Sequence, residues 1–153
     1  MKVIKAPNSI SKHSHGRKLI FLAGSIEMGL AEDWQSRVEK YFQELPEFTL
    51  LNPRRDDWDS TWVQEFENPN FYQQVNWELS ALERADQIIL YLSPNTKAPI
   101  SLMELGLFAA SGKVLLCCPP GYWRKGNVEI VCERYFIPIY HKLEELLTTH
   151  FPK

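Results

Sequence analysis

Short, almost unbroken apolar runs recur along the chain, each followed by a segment with helical spacing. This alternation constrains the fold more than any other feature. Lys18-Leu-Ile-Phe-Leu-Ala23 runs into Gly24-Ser25, the pattern of a buried strand feeding a tight turn. Between Leu30 and Leu45, Trp34, Val38, Tyr41, Phe42 and Leu45 have the spacing of an amphipathic helix, which Pro46 ends. A strand over 47–52, a long loop over 53–70, a helix over 71–84 and a strand over 86–92 follow. Pro99 suits the first position of a helix over 99–111, Gly112 its cap, and 113–118 is the next strand. A helix near 128–134, a short strand over 136–140 and a helix over 141–150 close the chain.

Strands that read as continuous apolar runs are covered on both faces, so the sheet should be parallel. Five such units in 153 residues fit one α/β domain over 18–153, a doubly wound five-stranded sheet of order 2-1-3-4-5, with a flexible polar tail over 1–17. That is the flavodoxin-like arrangement, in which ligands sit beyond the carboxyl ends of the strands where the order reverses. The loops 24–29, 52–70 and 93–100 are therefore the ones to inspect.

A net charge of −2 and an isoelectric point near 6.1 argue against a protein built to hold nucleic-acid polymers. No apolar stretch approaches the ~20 residues that span a bilayer, and the opening residues lack the apolar core of an export signal. Three cysteines make no even disulfide framework, and Cys117 and Cys118 are adjacent on an apolar strand. A reduced, cytoplasmic location is the expectation. His13 and His15 have a spacing that an extended segment could offer to a metal, but no Cys, Asp or Glu stands nearby to complete a site. No metal and no cofactor is expected.

Glu104 is the sharpest local anomaly: in APISLMELGLFAA, residues 98–110, it is the one charged side chain. A helix apolar nearly all round should be buried, and an ionised carboxylate inside it needs compensation. The helix N-terminus offers some, and Gly106 would allow close approach of a ligand. Such a carboxylate suits nucleophilic or acid–base work; a dipole partner or a buried ion pair is the plainer reading. Glu78 sits at the edge of an apolar stripe formed by Phe71, Val75, Leu79 and Leu82, either reaching solvent or joining Glu104 as the second of two carboxylates suited to glycosidic cleavage. The turn Gly24-Ser25-Ile26 could cradle a phosphate or a sugar hydroxyl, but it is neither GxxxxGK[ST] nor GxGxxG. In Asn52-Pro-Arg-Arg-Asp-Asp-Trp-Asp59 the guanidinium groups either pair within the loop or offer one arginine to an anion. Trp58 and Trp62 either stack on a base or anchor the loop.

Together, IFLAGSI, NPRR with its acidic continuation, WELSALERAD and SLMELGLFAASGKV resemble the nucleoside 2-deoxyribosyltransferase superfamily, nearest its nucleoside 2-deoxyribosyltransferase-like branch, over about 18–140. The resemblance implies a flavodoxin-like fold and a retaining transfer at C1′ of a deoxyribose. It implies that Glu104, the Glu of MELG, is the nucleophile. It also implies that Glu78, eight residues before Asp86 of the AD pair, contacts and helps protonate the base, where the family usually has Asp. Gly24, Ser25, Ile26, Asn52, Arg54, Trp58, Ser101 and Met103 are the expected substrate-binding residues. Ala98 stands where transferases often carry an Asp that contacts the sugar's 5′ side, a departure that bears on nucleoside against nucleotide. The implied partner is a small nucleoside or nucleotide, and family habit implies a homo-oligomer, a dimer or higher.

The expected activity is cleavage or transfer of an N-glycosidic bond through a glycosyl-glutamate. Two other readings stand beside it: a non-catalytic nucleotide-binding or sensor module, and a glycohydrolase acting on a dinucleotide such as NAD. The loop at 52–70 is expected to cover the substrate, being longer than ordinary α/β connections and leaving the sheet at its carboxyl edge.

Overall fold

The computed structural model describes residues 1–10, 16–26 and 31–153. His13, His15, Gly29 and Leu30, which figure in the expectations above, lie outside the described residues. Six parallel strands form one sheet: β1 (Lys2–Lys5), β2 (Lys18–Gly24), β3 (Phe48–Asn52), β4 (Gln87–Tyr91), β5 (Val114–Cys117) and β6 (Ile139–Tyr140), in the order β1-β3-β2-β4-β5-β6. Five helices accompany them among the described residues: α1 (Trp34–Phe42), α2 (Pro69–Arg84), α3 (Pro99–Phe108), α4 (Lys125–Tyr135) and α5 (Leu143–His150).

The sheet thus has six strands where five in the order 2-1-3-4-5 were expected. The extra one is β1, drawn from the segment read as a polar tail and paired with β3 from Lys2↔Thr49 to Lys5↔Asn52. Its two apolar residues, Val3 and Ile4, lie between lysines, which hides the strand from a periodicity reading. Flanking lysines are also how edge strands resist pairing with other chains. Ile4, Ala6 and Ile10 are buried, and Trp77 Nε1 of α2 donates to the Asn8 carbonyl at 2.8 Å, so the segment covers one side of α2.

Side chains alternate across the strands as a period of two requires. Leu19, Phe21 and Ala23 of β2 join Trp77, Leu82, Leu105 and Val128 under α2, α3 and α4. Ile20 and Leu22 join Trp34, Val38, Phe42 and Leu146 under α1 and α5. Helices on both faces bury both sides of the central strands, which is why β2 and β4 read as unbroken apolar runs. Asp86, at the amino edge, accepts from Leu19 N at 2.7 Å while its own N–H donates to the Leu19 carbonyl, which locks β4 to β2.

Candidate functional site

The strand order reverses beside β2, and there the carboxyl edge gathers Gly24–Ile26, Asn52, Ser93 and the start of α3. Gly24 has φ +146°, and a Cβ there would stand 2.3 Å from the Tyr91 carbonyl oxygen and 2.9 Å from Trp34 Cζ2. Glycine is required because β2 turns directly against β4. Ser25 is buried: its N–H donates to Tyr91 O at 3.0 Å, its Oγ accepts from Ser93 N at 3.1 Å and lies 2.6 Å from Thr96 Oγ1. Trp34 Nε1 donates to the Ser25 carbonyl at 3.0 Å. The GSI turn and the loop before α3 are thus clamped together, and Ile26, half-buried, leaves that clamp. Thr96, Ser93 and Trp34 were not foreseen, because their bonds cross between loops distant in sequence.

Ala98 enters α3 in the left-handed region at φ 47°, followed by Pro99 at the first helical position, as expected. Ser101, Glu104 and Leu105 are the buried residues of α3. Full burial of this helix was expected and is not found: Ile100, Met103 and Leu107 are more than half exposed along its outer side. Met103 therefore lies on the exposed side of α3 while Glu104 next to it turns inward. A Cβ at Gly106 would meet no protein atom within 4 Å, so packing within the chain does not require glycine there.

In α2 the buried face is Gln74, Trp77, Ala81 and Leu82; of the expected stripe, Phe71, Val75, Leu79 and Leu82, Leu82 alone is buried. Leu79 is exposed, because the β1 segment seats the larger Trp77 and turns the helix around it. This rotation carries Glu78 from the edge of the apolar stripe to its inner side. Glu78 accepts from Gln74 Nε2 at 2.6 Å, and burial still raises its pKa above the ordinary value. Glu104, 8 % exposed, is pushed up to about 8, first by burial and then by the charge of Glu78. No hydrogen bond or cation among the described residues offsets this. Two carboxyl groups on adjacent helices thus share a desolvated site in which ionising both at once is disfavoured.

Asn52, at the end of β3, is buried; its Nδ2 donates to Glu39 at 2.7 Å and its Oδ1 accepts from Arg54 N at 3.0 Å. It therefore points to the α1 side of the sheet, away from the two glutamates. Arg54 lies 3.9 Å from Asp33, and its Nε is buried without a partner. Arg55 is held inside the loop by Asp57 at 2.9 Å, by Gln73 at 3.1 Å and by the Trp62 ring at 4.9 Å. Trp58 packs edge-on against Trp62 at 5.1 Å. Of the two readings of this loop, internal pairing is the one Arg55 and both tryptophans adopt in this conformation. Gln74 escaped sequence reading, although its place four residues before Glu78 put the two on one helix face.

Residues 17–122 match the family model described as nucleoside 2-deoxyribosyltransferase like. No match is found among curated proteins. Among the described residues, no helix is long and apolar enough to cross a membrane.

Proposed function

The chain belongs to the nucleoside 2-deoxyribosyltransferase-like family, and on that footing we propose that it cleaves or transfers the N-glycosidic bond of a (deoxy)nucleoside or its monophosphate through Glu104. The observation that carries the reading is the buried Glu104 carboxyl, without a counter-ion and under the field of a second carboxyl, Glu78. A structural carboxylate is paired with a cation or hydrogen-bonded; one left bare in an apolar helix serves chemistry. Ionised Glu104 attacks C1′, the bond to the base breaks, and the base nitrogen takes the proton of Glu78 as it leaves. The sugar stays on Glu104 as an ester until a second base or water attacks C1′, gives its proton to the Glu78 carboxylate and releases the Glu104 carboxylate.

This division of labour needs the shared proton on Glu78. In the ligand-free protein burial and the Glu78 charge favour the proton on Glu104, while the Gln74 amide favours charge on Glu78. Substrate must shift the proton across the pair, and a positively polarised C1′ beside Glu104 supplies the drive. Ser25, Ile26, Arg54 and Ser101 are the substrate-binding residues kept in this reading, whereas Asn52, Trp58 and Met103 face away from the two glutamates or pack within their own loop. The test is base release, followed by chromatography, from the natural 2′-deoxynucleosides and their 5′-monophosphates. Glu104→Gln should remove it by several orders of magnitude, and the wild type should carry a sugar-sized mass increment on Glu104. A Glu104→Gln protein with wild-type rates overturns the reading.

A further inference from the structure

Gln74 is buried in α2 and has no part in the bond-breaking steps above. Its Nε2 has two acceptors, the Pro53 carbonyl at 2.8 Å and Glu78 Oε1 at 2.6 Å. Its own Oε1 is buried and has no partner. Chemistry fixes this orientation, because the flipped amide would set Oε1 against a carbonyl and a carboxylate, two acceptors. An orphaned buried acceptor is costly, and here the cost is tolerated because both amide hydrogens are engaged. Pro53 is the first residue after β3, at the root of the loop that runs to α2. One side chain therefore joins the base of that loop to a carboxyl of the site.

We propose that Gln74 is the positioning residue of Glu78, fixing the direction of its carboxyl and favouring its charged form for as long as the loop root at Pro53 is in place. The consequence for turnover rests on the proton-donor role given to Glu78 above; the coupling itself does not. Glu104 of α3 is the charged group that faces Glu78, and no described lysine, arginine or histidine acts on it. Burial raises the proton affinity of both carboxyls, and among the described residues the Gln74 hydrogen bond is the contact that favours charge on Glu78. Withdrawal of the amide, by movement at Pro53 or by substitution, raises the proton affinity of Glu78.

The experiment is a pH titration of the protein labelled with 13C at glutamate side-chain carboxyls, with Glu78 and Glu104 assigned through Glu78→Gln and Glu104→Gln. In the wild type, the Gln74 side-chain amide protons, followed by 15N–1H spectra, should shift with the same midpoint as Glu78. In Gln74→Met, which keeps the length and removes both donors, the Glu78 midpoint should rise by about one pH unit. The acid limb of the kcat/KM profile for base release should move with it, whereas a role in packing alone would lower stability without moving either. An amide that ignores the Glu78 titration, or a Glu78 midpoint unmoved in Gln74→Met, overturns the proposal. If Gln74→Met does not fold, the wild-type amide titration decides alone. If the deoxynucleoside panel gives no base release, the proposed activity falls while the titration still decides the role of Gln74.

Discussion

Replacing Glu104 by Gln should make the protein more stable as well as inactive, and the gain should grow with pH. In the unfolded chain Glu104 ionises near 4.5, whereas in the folded protein burial and Glu78 hold its proton up to about 8. Between those values the native state binds one proton more than the unfolded state, so stability falls as pH rises. The favourable contribution is fully present below 4.5 and is lost as pH passes 8. Each unit of that window is worth about 1.4 kcal/mol, so from pH 5 to pH 8 the wild type should lose about 4 kcal/mol that Glu104→Gln keeps. Every other titrating group is common to the two proteins and cancels in the difference, apart from Glu78, which feels the missing charge.

Urea melts of both proteins at pH 5, 6, 7 and 8 measure the gap directly. In thermal melts, about 4 kcal/mol corresponds to a divergence of midpoints on the order of 10 °C for a chain of this size. Repeating the pair in a Glu78→Gln background should narrow the divergence, because part of the shift comes from the Glu78 charge. A gap that stays constant with pH would refute the reasoning, since it would mean that Glu104 titrates alike in both states. A gap that widens toward low pH would refute it more strongly, by showing Glu104 stabilised as an anion.

Three further outcomes follow from the same geometry. Gly24→Ala should cost about 3 kcal/mol or more, because the new methyl meets the Tyr91 carbonyl oxygen at 2.3 Å in a backbone conformation that L-residues avoid; a chemical melt within 0.5 kcal/mol of wild type, roughly the scatter of neutral surface changes, would show that β2 and β4 can part there. Glu78→Ala should slow release of natural bases by about a hundredfold or more and release of activated leaving groups much less, as measured by paired kcat/KM values; equal losses would give Glu78 a structural role. Asp86→Ala should destabilise by about 2 kcal/mol through the lost bond from Leu19 N, yet leave base release intact, because Asp86 lies at the amino edge of the sheet; a lost activity in the folded variant would contradict that placement.

What the sequence made legible, and what it hid, divides along a physical line. Segments whose burial is set by the sheet itself, such as 18–24, 87–91 and 114–117, announce themselves, because a strand covered on both faces leaves no room for polar residues. Glu104 was legible for the same reason: one charge in an apolar helix stands out whatever surrounds the helix. The face that α2 buries was not legible, because Phe71, Val75 and Leu79 form as good a helical stripe as Gln74, Trp77 and Ala81. The choice is made by Asn8 and Ile10, which seat Trp77 from the turn that follows a strand with too few apolar residues to register.

That hidden choice reaches the chemistry. Had α2 buried the stripe through Leu79, Glu78 would have stood at the helix boundary in solvent, with an ordinary carboxylate affinity for protons. Turned inward by Trp77, it loses water, raises the proton affinity of Glu104 and comes under the Gln74 amide. The turn after a four-residue edge strand thus fixes the face that α2 buries, and that face brings Glu78 to bear on Glu104. Polar Gln74 on the buried face serves two acceptors at once: a leucine there would remove its orphaned oxygen but leave the buried Pro53 carbonyl, as well as Glu78, without a donor. One amide thus ties the root of the 53–68 loop to the ionisation of Glu78.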